Sequence, residues 1–115
     1  MEYATLEHWV NINSGSLNPD GLRVMADALA EHLTSIPGPI ERIALHEIRE
    51  LDGSIINPGD AIRLRFRPEA PVQILFSGHM DTVYGKDHTF QRLRMMGDGK
   101  ANGPGVADMK GGLFI

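Results

Sequence analysis

Cysteine is absent from the 115-residue chain, which excludes disulfides and every thiolate metal site. Any metal must therefore be held by imidazole and carboxylate groups. No apolar run approaches the roughly 20 residues that span a bilayer. The first ten residues, MEYATLEHWV, lack the basic start and apolar core of a signal peptide, so a cytoplasmic location is expected. A basic excess is missing too: the formal net charge is -4, which argues against a nucleic-acid partner. Arg63, Arg65 and Arg67 come nearest to a basic patch, and their alternation places them on the wet face of a strand. With 42% hydrophobic and 23% charged residues, the composition is that of a globular protein with one domain.

The pattern that is present is α/β. Leu6, Trp9 and Val10 mark one stripe of a short helix over Tyr3 to Asn11. A second helix is predicted from Pro19 to Thr34, with Leu22, Met25, Ala26, Leu29 and Leu33 at helical spacing, Asn18 as N-cap and Pro37-Gly38-Pro39 as the stop. Ile40 to Arg49 reads as a strand, as does Ala61 to Arg67, with Ile62, Leu64 and Phe66 inward. Asp98-Gly99 reads as the turn of a hairpin joining Arg92–Met96 to Lys100–Asn102. Val72, Ile74, Leu75 and Phe76 form the apolar run of a central strand buried on both faces, which would deliver His79 and Asp81 to its tip. Ligands and metals collect at the carboxyl ends of strands in open α/β sheets.

A second concentration of chemistry lies at Asp108, 27 residues beyond Asp81, in a segment holding six of the 13 glycines between Gly97 and Gly112. His79 offers an imidazole nitrogen, Asp108 a carboxylate with two oxygens, and Asp81 a group able to accept the other ring N–H of His79 and fix its tautomer. Each residue has a plainer alternative. His79 could close a strand against a backbone carbonyl, Asp81 could form a turn, and Asp108 could cap a helix starting at Met109. His8, His32, His46 and His88 show no ligand spacing. One His and one Asp are too few for a catalytic zinc site, which takes three protein ligands and a water.

Ser77-Gly78-His79-Met80-Asp81-Thr82-Val83 followed by Gly103-Pro104-Gly105-Val106-Ala107-Asp108-Met109-Lys110-Gly111-Gly112 resembles the M20 family of two-zinc metallopeptidases. Gly103-Pro104-Gly105 and Tyr84 look most like its glutamate carboxypeptidase branch. The resemblance implies a three-layer α/β/α domain with a mixed sheet. It also implies that His79 binds one of two zinc ions (cobalt or manganese being other candidates), that Asp108 bridges both, that Asp81 orients His79, and that the peptide bond after Asp108 is cis. It implies hydrolysis of an amide bond in a small peptide or N-acyl amino acid. The family's adjacent Glu-Glu pair, further acidic ligand, distant His and lid domain have no counterpart in this sequence. The chain is therefore expected to be the N-terminal portion of a catalytic domain, inactive alone and, with an uncovered sheet, self-associating. The rival expectation is a non-catalytic metal-binding or assembly fragment. A further one is an unrelated hydrolase or phosphatase with a His-x-Asp site.

Overall fold

The computed structural model describes residues 3–115. α1 (Tyr3–Asn11) turns Leu6, Trp9 and Val10 inward, as the helical stripe requires. α2 (Pro19–Leu33) buries Leu22, Met25, Ala26 and Leu29. Its first turn is held by Asn18, whose side-chain oxygen accepts from the Gly21 N–H at 3.2 Å, while Pro19 occupies a position where the missing N–H leaves no bond unmade. The helix ends at Thr34, before the Pro-Gly-Pro, with the Thr34 N–H and hydroxyl both donating to the Glu31 carbonyl. Asn18 Nδ2 also donates to the Asn13 carbonyl and side-chain oxygen, tying the cap to the inter-helix turn. Asn18→Ala is accordingly expected to cost about 1–2 kcal/mol, read as a lower urea midpoint followed by circular dichroism.

The next four strands form an antiparallel ribbon made of two separate two-stranded ladders. β1 (Ile40–Ala44) pairs with β4 (Asp60–Leu64), and β2 (Ile48–Arg49) with β3 (Ile55–Ile56). Ile40 faces Leu64 and Ile48 faces Ile56, so both ladders share one register centred on Asp52. There Asp52 Oδ1 accepts from the Ser54 N–H at 2.8 Å and the Ser54 hydroxyl at 2.6 Å, closing the turn. The single strand expected over Ile40–Arg49 is thus split at residues 45–47, opposite the break around Pro58 and Gly59, where Gly59 has φ 78°. Arg63, exposed as expected, pairs with Glu41 directly across the ladder at 2.7 Å. The inward placement of Phe66 is not observed: β4 stops at Leu64, Arg67 turns left-handed at φ 51°, and Phe66 is 55% exposed. β5 (Arg94–Gly97) and β6 (Lys100–Asn102) make the expected hairpin; Asp98 at φ 51° and Gly99 at φ 71° give the left-handed pair of a tight hairpin turn.

The central strand departs most from expectation. Residues 73–80 are irregular and pair with no strand among the described residues, and Ile74, Leu75 and Phe76 are 75%, 88% and 90% exposed. An apolar run is buried on both faces only if strands flank it and helices cover it. Neither stands beside it here. The chain is mixed α/β, but the strands make three separate two-stranded antiparallel sheets, and no mixed sheet is assembled among the described residues. The shape follows: a plate of 46 × 46 × 20 Å with a radius of gyration of 15.6 Å, against about 13 Å for a compact chain of this length. Among the described residues no helix is long and apolar enough to cross a membrane.

The core lies at the helical end. Trp9, Met25 and Leu29 form its centre, with Ile12, Ala28, Leu33, Met80, Leu113 and Phe114 packed around them. The Trp9 ring meets His32 edge-on at 5.0 Å and Phe114 at 6.3 Å. Through Met80 and through α3 (Lys110–Phe114), this core touches both segments that carry the candidate ligands.

Candidate functional site

The segment between α1 and α2 builds the site. Ser14 is fully buried; its hydroxyl donates to the Met80 carbonyl at 2.7 Å, and its carbonyl accepts from the Thr82 N–H at 2.9 Å. The Ser16 N–H returns a bond to the Thr82 carbonyl at 2.9 Å, and Gly15 and Thr82 make a single parallel bridge. Residues 80–82 are therefore fixed by backbone pairing to 14–16, although the segment leading into them is unpaired. The Ser16 hydroxyl also donates to Asp81 Oδ2 at 2.5 Å.

Asp81 in turn holds His79. Its Oδ1 lies 3.0 Å from Nδ1 and its carbonyl 3.2 Å, so Nδ1 carries the proton and donates. The other ring nitrogen, Nε2, lies 2.9 Å from Asp108 Oδ1, 29 residues along the chain. The structure thus brings together all three residues singled out from the sequence. The Asp108 carboxylate, first, holds the His79 pKa above its ordinary value; partial desolvation opposes this, and Asp81 adds to the rise. A carboxylate at each ring nitrogen makes a proton on Nε2 harder to remove than from a free imidazolium. A metal at Nε2 would have to displace that proton.

Asp108 reaches His79 from a turn. The Asp108–Met109 peptide bond is cis, as the resemblance implies. Met109, not Asp108, is the N-cap residue of α3, so the capping alternative for Asp108 does not hold. Met109 Sδ accepts a bond from the His79 N–H at 3.3 Å, joining the segments of His79 and Asp108 directly. A Cβ at Gly78 would lie 2.8 Å from Met109 Cε and Leu113 Cδ2, the flexible ends of two side chains that would have to shift to admit it.

His79 and Asp108 offer the donor types a shared metal ion would take: Nε2 and a carboxylate oxygen converge, both side chains are exposed, and the far nitrogen of His79 is already oriented. Among the described residues, however, no group of three or more His, Asp or Glu could hold a metal, so two ligands are what the chain itself brings together. His32 and His88 are occupied elsewhere, His32 between Trp9 and Phe114 and His88 accepting from the Phe90 N–H at 2.9 Å.

Four supporting residues were not evident from sequence. Ser14, Ser16 and Met109 act through bonds whose partners lie far along the chain. Lys110, 0% exposed, is the fourth: Nζ donates to the Trp9 carbonyl at 2.9 Å and the Ile12 carbonyl at 2.8 Å, and burial pushes its pKa down to about 8. Nothing in the sequence ties Ser14 or Ser16 to residues 80–82, and nothing marks a lysine as buried, since lysines rarely are.

No protein-family model matches the chain. It is 33% identical over 112 residues to carboxypeptidase G2 of Pseudomonas sp. (strain RS-16), an alignment covering 96% of this chain and 25% of that protein. The chain spans about a quarter of the length of this relative, and the likeness supports a carboxypeptidase-like relationship.

Proposed function

We propose that this chain is the part of a two-zinc amide hydrolase of the M20 carboxypeptidase type that carries one terminal and one bridging ligand, within a larger three-layer α/β/α domain. The observation that carries the reading is the convergence of His79 Nε2 and Asp108 Oδ1 at 2.9 Å, with Asp81 on the far nitrogen. The likeness to a carboxypeptidase over nearly the whole chain supports it. In this reading His79 holds one ion, Asp108 bridges two, and Asp81, fixed by Ser16, keeps the imidazole in the tautomer that presents Nε2. Zinc, when bound, supplies Lewis-acid polarisation of the scissile carbonyl and lowers the pKa of a bound water. The proton carrier and the remaining ligands are supplied from outside these residues. The substrate class is a small peptide or N-acyl amino acid.

A second reading, a non-catalytic metal-binding fragment, is favoured by the two-ligand set itself. Zinc titration of the 115-residue chain by calorimetry is expected to show binding that His79→Ala and Asp108→Asn each abolish; binding unchanged in both variants would sink the metal reading. Protein purified from its own source then separates the two. Zinc-dependent cleavage of N-acyl amino acids, lost in His79→Ala, supports the hydrolase, and binding without cleavage supports the fragment.

A further inference from the structure

We propose that Lys110 is a positioning residue: it holds Asp108 against His79 by fastening the turn after Asp108 to the C-terminal end of α1. The proposal rests on reading His79 and Asp108 as metal ligands, and it concerns how they are kept together.

The last carbonyls of a helix lack partners within it and carry the negative end of its dipole. Lys110 Nζ meets two carbonyls there, Trp9 within the last turn of α1 and Ile12 just past it. The Trp9 carbonyl already accepts from the Ile12 N–H at 3.2 Å, so the lysine is not needed to satisfy it. Nor does Lys110 form an ion pair among the described residues. A buried cation without a carboxylate is costly, and methionine would fill much the same space without that cost. What methionine cannot do is bond residue 110 to residues 9 and 12.

The anchor is shared. From Ile12 the chain runs directly into Ser14–Ser16, which pair with Met80–Thr82 and, through Asp81, orient His79. Residues 9–16 therefore grip both ligand segments, one by backbone pairing and the other by Lys110. The lysine stem is itself confined: its N–H donates to the Gly105 carbonyl at 2.7 Å, and a Cβ on Gly105, whose φ is 79°, would lie 3.0 Å from Lys110 Cγ and Cδ.

The test is made on the 115-residue chain with Lys110→Met, Lys110→Arg and Gly105→Ala. In metal-free protein labelled with 15N-histidine, the expected result is that Lys110→Met shifts the His79 Nε2 resonance to its position in Asp108→Asn, while Nδ1, facing Asp81, stays unmoved. Lys110→Arg, which can still donate to both carbonyls, is expected to restore it. Zinc affinity is expected to fall on the order of 10- to 100-fold in Lys110→Met, as when the partner orienting a ligand is lost, and to recover in Lys110→Arg. Gly105→Ala displaces the stem without removing the charge and is expected to move Nε2 in the same direction; it decides the matter if Lys110→Met does not fold. A folded Lys110→Met or Gly105→Ala chain with the wild-type His79 resonance would overturn the proposal. So would failure of both to fold, which would make Lys110 a requirement of folding alone. Because the resonance is read without metal, this failure is distinct from a failure to bind zinc.

Discussion

Trp9→Ala is expected to destabilise the chain by about 3–5 kcal/mol, enough to leave much of it unfolded, since whole domains are stable by only about 5–15 kcal/mol. Trp9 is 1% exposed and packs with Met25 and Leu29 at the one place where both long helices, Met80 and α3 meet. Removing the indole takes away contacts on all of these elements together, and the other buried apolar side chains among the described residues, Leu6, Val10, Leu22 and Ala26, sit on the same two helices. Trp9→Phe, which keeps an aromatic ring against His32 and Phe114, is expected to cost less than half as much. Urea unfolding followed by circular dichroism checks both, because the variants lack the chain's single tryptophan as a fluorescent probe. A loss below 1 kcal/mol in Trp9→Ala would mean that the core is not where the packing places it.

The second large effect is one of pH. Burial holds the Lys110 pKa at about 8 against an ordinary value of 10.5, so between these values the unfolded chain binds a proton that the folded chain has released. Stability therefore rises with pH across that window and is flat in this contribution below it. The depression from 10.5 to about 8 corresponds to a gain on the order of 3 kcal/mol. Deprotonation does not cut the tether: a neutral amine keeps two N–H donors, one for each of the Trp9 and Ile12 carbonyls. Urea midpoints of wild type and Lys110→Met at pH 7.5, 9 and 10.5 isolate the effect, since other groups titrate alike in both. The stability of wild type relative to Lys110→Met is expected to rise with pH; parallel curves would contradict it.

How much of this was legible depended on the range of the interactions involved. α1 and α2 follow from local spacing, and Asn18, Pro19 and the Asp98-Gly99 turn from local backbone preference, so the sequence alone places them to within a residue or two. His79, Asp81 and Asp108 were legible through a motif, and their convergence follows from it. The strand at Val72–Phe76 was misread because burial is a property of neighbours: its apolar run is real, but no strand or helix among the described residues stands beside it. Phe66 failed for a related reason, a left-handed Arg67 that alternation does not announce. Ser14, Ser16 and Lys110 were not legible because their roles depend on partners 65 to 101 residues away.

Those same separations limit when each contact can form. Lys110 joins Trp9 across 101 residues, and Ser14 joins Met80 across 66. Closing such loops is entropically unfavourable until the contacts they permit are made, and chains dominated by distant contacts fold slowly. During synthesis α2 and the ribbon can form as they emerge. The end of α1 gains its lysine partner only after residue 110 has left the ribosome. His79 and Asp108 can consequently be brought together only after α2 and the ribbon have had the chance to form.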